Sequence, residues 1–92
     1  MDLKAEVRRI FEGLDLADAE IDFLPNRGTR VLVSLISPAF ESMEDWERQE
    51  LVWGALLDGL GDYESRWVEF VFTDTPGEVA EAIAQANAAP EV

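Results

Sequence analysis

The sequence predicts a single α+β domain with its elements in the order α-β-β-α-β-α: a three-stranded mixed sheet with helices on one face. Three observations predict it. The chain opens on an apolar stripe at helical spacing, Leu3, Val7, Ile10, Phe11 and Leu14. Two strand-like segments then flank a short turn, Pro25-Asn26-Arg27-Gly28, which makes an antiparallel hairpin. The route from the second strand to the third passes through a helix, so the third returns parallel to the second by a right-handed crossover.

The first helix runs from Asp2, placed to cap it, to Gly13, placed to end it, with Arg8 and Arg9 near the end where cations suit the helix dipole. From Ala19 to Leu24 the residues alternate, with Ala19, Ile21 and Phe23 on one face and Glu20 and Asp22 on the other. Thr29 to Ile36 is nearly continuous in branched apolar residues and reads as the central strand. Ser37 to Glu41 reads as a connecting loop. Ser42, with Asp45 three residues on, is placed to open one long helix ending near Leu60, where Gly59 and Gly61 stand. Its buried stripe is Val52, Ala55, Leu56 and Gly59 or Leu60, with Trp46, Trp53 and Leu57 on a neighbouring stripe.

Arg66 to Thr73 is the third strand. Alternation puts Val68, Phe70 and Phe72 on one face and Trp67, Glu69 and Val71 on the other. Thr75-Pro76-Gly77-Glu78 has the form of a capping box, with threonine at N-cap, proline at N1 and glutamate at N3. The last helix carries Val79, Ala80, Ile83 and Ala84 and is expected to fray from about residue 88. The sheet face away from the helices is expected to show Glu20, Asp22, Glu69 and Trp67.

Ninety-two residues make one domain, 1–92, and 48% hydrophobic against 29% charged residues is the balance of a folded one. No apolar run approaches the ~18 residues of a membrane span. The polar, acidic start lacks the pattern of a secretory signal, so a cytoplasmic location is expected. The chain has neither cysteine nor histidine. Thiolate chemistry, imidazole general-base chemistry and the usual transition-metal ligands are therefore unavailable, and no cofactor is expected. Asp58, Asp62 and Glu64 cluster near the end of the main helix, but their spacing is not that of a calcium loop, and a three-stranded domain offers little cleft for paired-carboxylate hydrolysis. An enzyme is not expected.

The net charge of −13, from 20 acids and 7 bases, repels a nucleic-acid backbone, and no G-x-x-G loop is present to clamp one. That leaves a protein partner, with a second copy of the chain among the candidates. The acidic surface either keeps the protein in solution or meets a basic partner. Among the tryptophans, Trp46, Trp53 and Trp67 are each accounted for by core packing or by an anchoring role at an interface. Trp67 is the leading anchor, because it shares a strand face with Glu69.

Ser37-x-x-Phe40, then Arg48, then Val52 and Leu56, then Thr75-Pro76-x-Glu78 resembles the BolA family over residues 37–78. That family places an Arg-His pair at the main helix and a histidine on the last strand; here the pair is Arg48-Gln49 and the strand position is Trp67. The resemblance implies a type II KH-like scaffold. Family members bind monothiol glutaredoxins and share an iron–sulfur cluster through the strand histidine, and some regulate transcription. With that histidine absent and no cysteine to replace it, only the scaffold carries over.

The resulting expectation is a non-enzymatic protein-binding adaptor or regulatory domain. Its partner-binding residues are Trp67, Glu69, Arg48 and Trp53, on the third strand and main helix. The alternative is an acidic inhibitor or nucleic-acid mimic that occupies a basic site.

Overall fold

The Asp2 carboxylate accepts the Ala5 N–H at 3.2 Å and starts α1, Leu3–Glu12, whose inward stripe buries Val7 and Phe11. The structure, a computed structural model, describes residues 2–26 and 28–87; Arg27 and the tail from residue 88, expected to fray, lie outside the described residues. Asp15 and Asp18 follow α1 in left-handed conformations, at φ 55° and 46°, a backbone state aspartate tolerates better than most residues.

β1, Glu20–Leu24, alternates as expected and pairs antiparallel with β2, Val31–Ile36, in the register Ile21 to Leu35 and Phe23 to Val33. In the turn between them the Asn26 side chain donates to the Arg30 carbonyl at 2.8 Å. β3, Val68–Asp74, lies parallel to β2, so the sheet order is β1-β2-β3 with the central strand in the middle. Trp67 therefore precedes the strand; its carbonyl accepts the Val31 N–H at 2.7 Å.

Two junctions differ from the sequence expectation. The stretch read as a loop closes into a 3-10 turn, Pro38–Ser42, whose start is capped by the Ser37 hydroxyl accepting the Ala39 N–H at 3.1 Å. Ser42 thus ends a turn instead of opening a helix. The main helix, α2, spans Asp45–Ser65 and is capped by Glu44, whose N–H donates to Glu47 Oε1 at 2.9 Å. The expected single long helix is a turn followed by a helix. The cap moves because Phe40 must reach the core, where it is wholly buried. At the other end α2 breaks at Gly61, φ 83° and ψ 175°, a conformation essentially confined to glycine, and resumes for one further turn.

The third strand holds the largest difference. Val31 pairs with Val68, but Leu32 pairs with Phe70, so Glu69 is an extra residue and the alternation slips there. Val68 and Val71 both point into the core, while Phe70 and Phe72 point out, at 41% and 42% exposure. The face assigned to Phe70, Phe72 and Val71 from simple alternation is reversed.

The core lies between the sheet and two helices. Val33, Leu35 and Val71 meet Val7 and Phe11 of α1, Val52 and Leu56 of α2, and Phe40 from the turn. At Gly59 α2 lies against Ile10 of α1; a Cβ there would lie 2.6 Å from Ile10 Cδ1. The last helix, α3, spans Pro76–Asn87 and buries no residue. The molecule measures 46 × 32 × 20 Å along its principal axes.

Candidate functional site

Arg48 lies on the inward stripe of α2, one turn before Val52, and is 4% exposed. Its guanidinium donates in three directions. Nε reaches the Met43 carbonyl at 3.2 Å and Nη1 the Thr73 carbonyl at 3.2 Å. Nη1 and Nη2 grip Glu78 Oε1 and Oε2 at 2.8 and 3.2 Å, and the plane stands 5.6 Å over the Phe40 ring. The hydrogen bonds to Glu78 raise the arginine further above its ordinary value despite burial. Arg48 is thus consumed in joining the turn, α2, β3 and α3, and offers no free donor face to a partner.

Glu78 completes the capping box foreseen in the sequence: its N–H donates to Thr75 Oγ1 at 3.0 Å, and its carboxylate accepts the Thr75 N–H at 2.8 Å. The Arg48 hydrogen bond, followed by the Thr75 N–H, pulls its carboxyl down to about 2. Asp74, next to this pair, is raised, first by burial and then by the charge of Glu78.

Gln49, next to Arg48 on α2, reaches the same strand, β3. Its Nε2 donates to the Val71 carbonyl at 2.9 Å and to Thr73 Oγ1 at 3.3 Å, and its Oε1 accepts the Trp53 indole N–H at 3.0 Å. Since the Asp74 carbonyl bonds inward to Ser37 N–H on the β2 side, the carbonyls of Val71 and Thr73 face the free edge of the sheet. Gln49 and Arg48 occupy both. At these positions β3 cannot accept a further strand, which blunts the edge against pairing. Any partner at β3 must be met by side chains.

The side chains available there are aromatic. Phe70 and Phe72 stack edge to face, with centroids 4.9 Å apart and planes at 74°. Beside them Asp45, Gln49, Thr73 and Asp74 complete an open groove of about 280 Å³. Leu24 and Leu32, in register with Phe70 across the sheet, extend the apolar row, and Asp22 and Glu20 border it on β1.

Of the four residues singled out in the sequence, Trp67 is 40% exposed and lies with Tyr63, Arg30 and Arg66 around a small pocket of about 180 Å³. Glu69 is exposed at the register shift and accepts a hydrogen bond from Asn26 Nδ2 at 3.3 Å. Trp53 is half-buried against the core. Trp67 and Glu69 remain accessible near β3, while Arg48 and Trp53 are part of the packing.

Sequence reasoning missed Phe70 and Phe72, because the slip at Glu69 arises in the pairing with β2 and leaves no mark in the alternation of the strand itself. It also missed the role of Gln49, which depends on where β3 ends up. Among the described residues no group of three or more acidic side chains is gathered as a metal site would require. No helix among them is long and apolar enough to cross a membrane. Compared with family models, with curated proteins and with solved structures, the chain finds no match.

Proposed function

We propose that this protein is a non-enzymatic adaptor or regulatory domain, BolA-like in scaffold, that binds a protein partner on the open sheet face along β3 and the adjoining flank of α2. The observation that carries the reading is the outward turn of Phe70 and Phe72, an edge-to-face pair exposed by about two-fifths on the sheet face away from the core. Aromatic side chains bordered by polar groups are the common anchors of protein interfaces.

The residues that carry the family resemblance support this division of labour. Ser37, Phe40, Arg48, Val52, Leu56 and Thr75 are all buried, and Glu78 is bound to Arg48. They build the scaffold, so recognition falls to side chains outside the shared pattern.

The test is capture of partners from source cells by the immobilised full-length protein, beside a Phe70→Ser/Phe72→Ser variant. Both phenylalanines are exposed, so the variant should fold. A protein retained by the parent and lost from the variant supports the reading. Recovery of the protein alone overturns it. The acidic-inhibitor reading, favoured by Glu20 and Asp22 along the same face, predicts instead a partner released by salt and indifferent to the two serines.

A further inference from the structure

The flank of α2 that meets Leu14 carries a second surface. Glu47, Glu50, Leu51, Gly54, Ala55 and Asp58 follow one another at steps of three, one, three, one and three, a single helical stripe. They line a shallow, open groove of about 790 Å³ together with Leu14, just after α1, Met43 and Trp46. Trp46 is 65% exposed, with nothing in the fold to explain an indole there. At the centre of the stripe the helix is pared down to Gly54 and Ala55, and a Cβ on Gly54 would meet nothing within 4 Å. The groove has an apolar floor, an aromatic wall and a notch where a second backbone can come close.

Its charge is of one sign. Glu47, Glu50 and Asp58 are the charged residues of the lining, and no base stands among them. The eleven steps from Glu47 to Asp58 span about 16 Å, or about three turns of a facing helix. We infer that this groove is a docking site for a basic amphipathic helix, whose apolar stripe would lie over Leu51, Gly54 and Ala55 and whose flanking lysines or arginines would meet the acidic rim. Helix-in-groove recognition uses this combination of apolar anchors at three- and four-residue spacing with charged flanks.

A second copy of the chain fits poorly. Its basic helix is α1, where Arg9 is paired with Glu6 at 2.8 Å, and Lys4 and Arg8 stand over the Phe23 ring at 5.8 and 5.5 Å. α3 carries Glu78 and Glu81 and no base. Two chains of net charge −13 also repel. The occupant is therefore a segment of another protein.

The surface is separate from Phe70 and Phe72, so the two proposals stand or fall apart. The probe is a synthetic amphipathic peptide of about four turns, leucine on one face and lysine on both flanks. A peptide of the same leucine pattern with glutamate for lysine is the control. Binding to the full-length protein is followed by titration calorimetry and amide chemical-shift mapping.

The lysine peptide is expected to bind, to shift Trp46, Leu51, Gly54 and Ala55, and to weaken in salt; the glutamate peptide is expected not to bind. Gly54→Leu fills the notch and should weaken binding by at least ~10-fold while the thermal midpoint holds or rises. Glu50→Lys/Asp58→Lys should do the same by charge; Glu47 is left intact because it caps α2. Phe70→Ser/Phe72→Ser should bind the peptide normally. The inference is overturned if the lysine peptide does not bind, if both peptides bind alike, or if shifts gather on the sheet face. Indifference to Gly54→Leu and to the charge reversal, or a dimer of the free protein dissolved by Gly54→Leu, overturns it equally.

Discussion

Arg48 and Glu78 meet through two hydrogen bonds, 2.8 Å from Nη1 to Oε1 and 3.2 Å from Nη2 to Oε2, thirty residues apart in the chain. This fork fastens the first turn of α3 to the buried stripe of α2. Replacing Arg48 by methionine keeps the bulk but strips the Met43 and Thr73 carbonyls and the Glu78 carboxylate of their donor. The expected loss is about 3 kcal/mol, reduced from a fully buried pair because Glu78 is partly hydrated. For a domain of this size that lowers the thermal midpoint by roughly 12–24 °C, readable by circular dichroism. Arg48→Lys, which keeps charge without the fork, should fall between.

The same pair sets a response to acid. The Glu78 carboxyl is held at about 2 against an ordinary 4.5, so its contribution is present above about 4.5 and is lost as pH falls toward about 2. Asp74, raised by burial, has the opposite sign: the folded state takes up its proton more readily, and that gain offsets part of the loss. Glu78→Gln removes the titrating group. Its thermal midpoint should lie below the parent's near neutral pH, and the gap should close between those two values. A gap constant with pH would contradict the assignment.

Two glycines of α2 should respond oppositely to alanine. At Gly54 the added Cβ meets open space, and relief of the glycine penalty should stabilise the fold by up to about 1 kcal/mol. At Gly59 it would lie 2.6 and 2.8 Å from Ile10 Cδ1 and Cγ1, and overpacking should outweigh that gain by about 1 kcal/mol or more. Combining Gly59→Ala with Ile10→Ala should cost less than the sum of the single changes in a denaturation cycle.

The reversed faces of β3 predict a matching contrast. Val71→Ala, in the wholly buried position, should cost about 2–3 kcal/mol in denaturant unfolding. Phe72→Ser, a far larger change in the side chain, should cost under about 1 kcal/mol because the ring is already two-fifths exposed. Equal losses would mean that Phe72 is inside.

What could be read from the chain follows the range of the interactions that decide it. Asp2 and the Thr75–Glu78 box are settled within one helical turn, and both caps form as expected. The stripe of α1 and the alternation of β1 depend on period alone, and they too hold. The order of the strands follows from handedness and connection length. The start of α2 does not, because Ser42 is the better cap by residue type and gives way to Glu44 only once Phe40 is drawn into the core. The slip at Glu69 is set by β2, and a strand cannot announce from its own residues which position its neighbour will skip. Arg48 was legible as a position on the helix but not as a buried one, since Glu78 arrives from thirty residues away.

The poor anchorage of α3 has a mechanical consequence. Beyond Val79 nothing on this helix is covered, so amide exchange there should run far ahead of exchange in β2, whichever way the rod swings. A pull on it reaches, through Glu78, the guanidinium of Arg48, which also grips the carbonyls of Met43 and Thr73. A tug on the rod is felt first at the root of the main helix and along the strand that displays the two phenylalanine rings.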